Sequence, residues 1–307
     1  MLIIEILLIG ILLSLISPIN LLEAIGNKET RKTKLSIRKS APKIENIDVE
    51  SGSVVLIAND SKKVDCIVDL SDYDGNLDIN SVNAEFFDVA NSFYGEIDDD
   101  NDHYTNSSCY INYSYGTIYE ARAHCTFDVW YYANQGQWNC TAYVEDQSGY
   151  NDENSGDTII ESLLSIGLPD FINYGEVNAT EVSDEQIANV TNYGNVELNL
   201  SLQGYAISEG DDLAMNCTLG SIGTIPIEYE KYNLSTSTPG VLNLGEADSF
   251  YENLSSSEIV KEFNLNYRKN DTENEAINST YWRIYVPIGV AGTCEGNIIF
   301  GARQENV

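Results

Sequence analysis

From about residue 44 onward the chain alternates apolar and polar residues in short runs, without the three-to-four spacing of an amphipathic helix. In VDCIVDL, Val64, Cys66, Val68 and Leu70 share one face at the two-residue period of a strand, and in QWNCTAYV so do Trp138, Cys140, Ala142 and Val144. Both faces read as inward. The runs KIENIDVES, GSVVLIAND, KKVDCIVDLSD, SVNAEFFDV, IYEARAHCTFDVWYYA, QWNCTAYVED and DTIIESLLSI follow one another up to residue 163, divided by Asp, Asn, Gly and Ser. A long acidic loop precedes IYEARAHC, and VEDQSGYNDENSGD reads as the turn of the last hairpin. Within FDVWYY, Trp130 and Tyr132 fall on the face opposite Phe127 and Val129. That face suits a sugar or a partner subunit, or else a second buried layer. Residues 164–307 continue in the same manner, and a chain of 307 residues accommodates two modest domains. The pattern predicts an all-β fold of two tandem sandwiches, over residues 44–163 and 164–307.

Ahead of them the character changes twice. Residues 1–26 read as a hydrophobic helix, in which Met1 to Leu22 is apolar apart from Glu5, Ser14, Ser17 and Asn20, long enough to cross a bilayer. Cleavage near Ala24 and Gly26 would make it a signal peptide, although no cation precedes the apolar run. Retained, it would associate the protein with a membrane, and the cations behind it would favour a cytoplasmic body. Residues 27–43 are a basic arm with seven cations against Glu29. In its KLSIRK stretch, Leu35 and Ile37 lie on one face. Such a segment can pair with an open sheet edge of a neighbouring copy, its cations meeting the acidic body, or it can serve as a linker. A contact of that kind runs head to tail and builds a polymer.

Composition narrows the functions. Sixteen Lys and Arg against 48 Asp and Glu give a net charge of -32, which excludes a nucleic-acid partner, because such a surface repels phosphate. An apolar fraction of 43% is enough for a core. Six cysteines, four in the first half and two in the second, form no CxxC pair and point to disulfides rather than zinc. Twelve Asn-x-Ser/Thr triplets, at Asn59, Asn106, Asn112, Asn139, Asn178, Asn189, Asn199, Asn216, Asn233, Asn253, Asn270 and Asn278, exceed chance and predict a glycosylated surface. Cysteines and sequons together place the body outside the cell.

Three resemblances follow from these residues. The apolar start with Glu5 resembles a processed type IV pilin, in which that glutamate pairs with a neighbouring subunit. Cys66, the Asp72-Tyr73-Asp74-Gly75 turn, Ile79, Val82 and the WNCTAYVEDQSG segment make residues 44–163 resemble an immunoglobulin-like (Ig-like) domain of bacterial and archaeal surface proteins. Phe86 and Phe87 stand where an antibody domain has a strand tryptophan. That resemblance implies an inter-sheet bridge from Cys66 to Cys140, and with it one from Cys109 to Cys125. The second half, with Tyr174-Gly175 and the turn Asn192, Gly194, Asn195, is similar to another Ig-like class of extracytoplasmic proteins, and its closing part to secreted archaeal proteins of tandem-sandwich form. There Cys217 and Cys294 would staple the last strand, CEGNIIFGA, to the middle of the domain.

Chemistry is sparse. Asp98, Asp100 and Asp102 alternate in GEIDDDNDHYTNSS beside Glu96 and Asp99, an arrangement suited to Ca²⁺. The loop departs from an EF-hand in carrying His103 where the glycine belongs, and in lacking the closing glutamate. A solvated acidic loop is the plainer reading. No GxSxG, HExxH or phosphate loop occurs, and no cofactor other than this calcium is implied. The expectation is a non-enzymatic extracellular structural protein, a subunit of a surface filament or coat. An adhesin recognising glycans or another cell is the alternative.

Overall fold

The computed structural model describes residues 29–304. The hydrophobic helix expected at residues 1–26, and Glu5 with it, lie outside the described residues. Among the described residues no helix is long and apolar enough to cross a membrane. Residues 29–42 adopt no regular element, and Leu35 and Ile37 are 82% and 84% exposed. The compact body begins at Lys39, earlier than the arm boundary expected at residue 43. The reason is local: the Lys39 ammonium bonds both carboxylate oxygens of Asp78 at 2.7 and 2.8 Å, and the Ser40 amide donates to Asp74 Oδ2.

Nine strands follow: β1 (Lys43–Val49), β2 (Ser53–Val54), β3 (Ser61–Ser71), β4 (Ile79–Asp88), β5 (His103–Asn106), β6 (Tyr110–Asn112), β7 (Glu120–Trp130), β8 (Gly136–Asp146) and β9 (Asn151–Ile160). They form a four-stranded sheet, β1-β3-β7-β6, and a five-stranded sheet, β2-β9-β8-β4-β5, in which only β2 and β9 pair in parallel. The alternating faces of β3 and β8 meet between the sheets, with Val64, Cys66, Val68, Trp138, Cys140, Ala142 and Val144 fully buried. Phe86 lies between Phe127 and Trp138, its ring 5.6 and 4.8 Å from theirs, in the core between the two sheets.

Several expectations need correction. Of GSVVLIAND only Ser53–Val54 is a strand; Val54 and Leu56 still point inward between exposed Val55 and Ile57. The hairpin turn is confined to residues 147–150, and NDENSGD is the outer part of β9, polar because that stretch is largely exposed. Its Gly156 faces Ile47, where a Cβ would come within 2.7 Å of the isoleucine side chain. Tyr132 is not exposed beside Trp130: β7 ends at Trp130, and the turn after it buries Tyr131 and Tyr132.

The rest comprises β10 (Ile166–Gly167), β11 (Gln186–Asn192), β12 (Leu198–Tyr205), β13 (Leu213–Gly220), β14 (Thr224–Pro226), β15 (Glu230–Asn233), helix α1 (Leu244–Phe250), β16 (Glu252–Asn253), β17 (Ile259–Leu265), β18 (Ile277–Ile284), β19 (Val290–Glu295) and β20 (Asn297–Arg303). The helix starts on a capping box, with Asn243 accepting from the Glu246 amide and Glu246 from the Asn243 amide. A five-stranded sheet, β10-β11-β18-β15-β16, packs against two three-stranded sheets, β17-β12-β20 and β14-β13-β19, around Trp282. No strand of residues 43–160 pairs with one of residues 166–303. The run CEGNIIFGA is two strands, split at Gly296, where the backbone passes so close to Ala214 that a Cβ would lie 1.8 Å from its carbonyl oxygen. Cys294 is therefore on the penultimate strand.

Candidate functional site

All six cysteines are paired. Cys66 on β3 bonds Cys140 on β8 across the sandwich, Cys109 bonds Cys125 on β7, and Cys217 on β13 bonds Cys294, its register partner on β19. The first bridge ties the two sheets of one sandwich; the third reinforces an existing ladder.

A second set of contacts joins the halves. The turn singled out in sequence as Asn192, Gly194 and Asn195 is wholly buried. Asn195 donates from Nδ2 to the carbonyls of Ala133 and Glu161 and accepts the Leu163 amide. Gly194 is required there, because a Cβ would sit 2.0 Å from the Leu163 oxygen. Alongside, the hydroxyls of Tyr131 and Tyr132 donate to Glu275 and Asp271 at 2.8 and 2.9 Å, and the Arg268 guanidinium stacks on the Tyr132 ring. Burial and the accepting carboxylates raise both tyrosine pKa values.

The acidic loop lies next to this joint. Asp98 is exposed and accepts the Thr105 hydroxyl. Asp100 donates its amide to Asp271 and is half-buried, and that burial, with Asp271, Asp99 and Asp98 nearby, pushes its carboxyl up to about 6. Burial likewise raises Asp102, with Asp99 and Asp88 adding to it. Among the described residues, Asp98, Asp100 and Asp102 are not a set of three carboxylates with oxygens within 4.8 Å of one another. His103, in the calcium loop's glycine position, is the first residue of β5, wholly buried and stacked on Phe87. The loop instead forms one wall of a shallow groove with Asn106, Asp128 and Trp130, whose indole is 38% exposed and stacked on Tyr132. An exposed ring flanked by hydroxyl-binding carboxylates has the chemistry to hold a sugar.

Two sites escaped sequence reading. Glu230 is buried and accepts the Tyr174 hydroxyl at 2.8 Å; burial pushes its carboxyl up to about 7 against the lowering effect of that bond. At the far end of the first sandwich, Asp72, Asp78 and Asp146 bring carboxylate oxygens within 4.8 Å of one another. They come from two turns about seventy residues apart, so no spacing could betray them.

Of the predicted glycosylation asparagines, Asn59, Asn178, Asn189, Asn216, Asn253 and Asn278 are exposed, and Asn106, Asn112, Asn139, Asn233 and Asn270 are partly exposed. Asn199 is not available. It is 8% exposed, and its Oδ1 accepts the amides of Phe263 and Asn264 at 2.7 and 3.0 Å, where the β12–β17 ladder is irregular.

No family model matches the chain, and no curated protein matches it. Solved structures do align. One is a chaperone–tip adhesion subunit pre-assembly complex from the archaic chaperone-usher Csu pili of Acinetobacter baumannii, at 12% identity over 82% of this chain and 97% of that one, with a TM-score of 0.38. Another is a chaperone–tip adhesin complex of CFA/I fimbriae, at 11% identity over 86% and 81%, TM-score 0.29. A third comes from the carbohydrate-binding modules of the β-sandwich superfamily, at 11% identity over 86% and 97%, TM-score 0.26. At these TM-scores the alignments establish no shared fold.

Proposed function

We propose that this chain is a non-enzymatic extracellular structural protein, a subunit of a cell-surface filament or coat built from two tandem Ig-like sandwiches. The observation that carries this reading is the locking of the body: every cysteine is in a disulfide, and a buried asparagine joint fixes one half to the other. Such bridges need an oxidising compartment, and a covalently braced sandwich resists mechanical and proteolytic opening. The partner is a copy of the same chain. The arm presents Leu35 and Ile37 outside any sheet, with cations around them, in the form an open edge strand of an acidic neighbour accepts. Contacts of this kind propagate head to tail. The partly and fully exposed sequons carry glycans in this reading, and residues 1–26 direct export or hold the subunit in the assembly.

Electron microscopy of material from the native surface tests the proposal against a chain lacking residues 29–38, a deletion that spares the body contacts of Lys39 and Ser40. Loss of ordered fibres or sheets is expected, and undiminished assemblies overturn the arm's role. A second reading, an adhesin, is favoured by the Trp130 groove. A glycan array probed with the intact protein and with Trp130→Ala separates the two, because only an adhesin gives binding that the substitution abolishes.

A further inference from the structure

The three carboxylates at the far end of the first sandwich have more acceptors than partners. Asp72 Oδ1 accepts the Asp74 amide, and Asp146 Oδ1 accepts the amides of Ser148 and Tyr150, so one oxygen of each is used to shape its own turn. The other oxygen, Oδ2 in both cases, is buried and accepts no hydrogen bond among the described residues, in side chains of residues that are each 1% exposed. A buried carboxylate oxygen without a donor costs free energy that a structure ordinarily avoids. Asp78 completes the group, and among the described residues its side chain is bonded by Lys39 alone, so the cluster of three carboxylates holds a single ion pair.

We infer that Asp72, Asp78 and Asp146 form a divalent-cation site selective for Ca²⁺. Hard carboxylate oxygens suit this ion, which takes six to eight oxygen ligands at roughly 2.3–2.6 Å in a flexible geometry. One oxygen from each of the three carboxylates lies within 4.8 Å of the others, close enough for one ion to reach all three, and two independent turns supply a loose ligand set where Mg²⁺ demands shorter bonds and a stricter octahedron. The cation would engage the two idle oxygens and offset the charge that Lys39 leaves unbalanced. The ion would cross-link the turn between β3 and β4 to the turn between β8 and β9. These are already joined by the Gln147 amide to the Asp78 carbonyl and by the Gln147 side chain to the Leu77 carbonyl. It would also fix the point at which the chain enters the body, since Ser40 and Lys39 are held by Asp74 and Asp78. This inference is independent of the filament reading.

Isothermal titration of the full, chelator-treated chain with CaCl2 tests it. One saturable site is expected, at least ten-fold weaker for MgCl2, weakened at least ten-fold by Asp78→Asn and by Asp146→Asn, and unchanged by Asp98→Asn in the acidic loop. Lys39→Gln is expected to tighten binding severalfold, because it removes the competing ammonium. Asp78 is only partly buried, so Asp78→Asn and Lys39→Gln decide the matter even if Asp146→Asn fails to fold. No saturable heat, or equal binding by wild type and Asp78→Asn, overturns the site.

Discussion

Asn195, in the second half of the body, donates its side-chain amide to the carbonyl of Ala133 in the first, 2.9 Å away and shielded from water. The same side chain also serves Glu161 and Leu163, so one residue satisfies backbone groups on the exit of β9 and on the β7–β8 turn. Asn195→Ala leaves the buried Ala133 carbonyl and the part-buried Glu161 carbonyl and Leu163 amide without this partner, at about 1–3 kcal/mol for each group that cannot reach water. Urea unfolding followed by fluorescence is expected to show a loss of several kcal/mol, and limited proteolysis should now cut between residues 161 and 168. A variant with wild-type stability and protease resistance would mean that the joint is held by the tyrosine contacts alone.

Cys66 and Cys125 are register partners on β3 and β7, yet each is bonded elsewhere. Cross-strand neighbours lie within reach of one another, so a thiolate released at Cys66 has a disulfide beside it to attack. Cys140→Ala is therefore expected to yield a mixture of bridges, with Cys66 joined to Cys125 or Cys109, readable by peptide mapping under non-reducing conditions. Cys66→Ala with Cys140→Ala removes the attacking thiol and should keep a single Cys109–Cys125 bridge. The double variant loses about 4 kcal/mol, the loop-closure value for a loop of this length. A homogeneous Cys140→Ala product with a free Cys66 would contradict the exchange.

Much of this architecture was readable from the chain. The two-residue period along β3 and β8 is imposed by the core between the sheets, and it survives in sequence because each inward position must be apolar. What stayed hidden depends on distant segments. Tyr132 continues the alternation of β7 on paper, but the strand stops and Arg268 and Asp271, more than 130 residues later, bury it. NDENSGD has the composition of a loop because its strand is exposed, and exposure permits polarity as readily as a turn does. Asp98, Asp100 and Asp102 attracted a calcium reading through local spacing alone. The carboxylates that converge are Asp72, Asp78 and Asp146, of which the sequence marks only the first, as part of a turn.

Asn199 occupies a sequon whose asparagine has structural work to perform. Its Oδ1 receives two backbone amides of β17, and the side chain is enclosed. Glycopeptide mass spectrometry of the native protein is expected to find Asn199 unmodified even where Asn178 and Asn216, both exposed, carry glycan. Asn199→Ala should destabilise the protein by about 2 kcal/mol, through two amides left without an acceptor. Glycan on Asn199 in folded material would show that the β12–β17 edge opens after synthesis.

Glu230 gives this acidic protein a pH dependence opposite to that of a carboxylate held in an ion pair. Its folded pKa of about 7 lies above the ordinary value of 4.5, because burial disfavours the charged form more than the Tyr174 hydroxyl supports it. Between those two values the folded chain binds a proton that the unfolded chain has lost, so stability falls as pH rises through that window and levels off above it. Asp100, pushed up to about 6, acts in the same direction. Glu230→Gln keeps an acceptor for Tyr174 and removes the titration. The variant is expected to match the wild type at pH 4 and to exceed it at pH 8 by roughly 3 kcal/mol, the worth of a shift of this size. Thermal melts from pH 4 to pH 8 provide the check. Parallel curves for the two proteins would mean that Glu230 ionises in the folded state as easily as in the unfolded one, and that water reaches it.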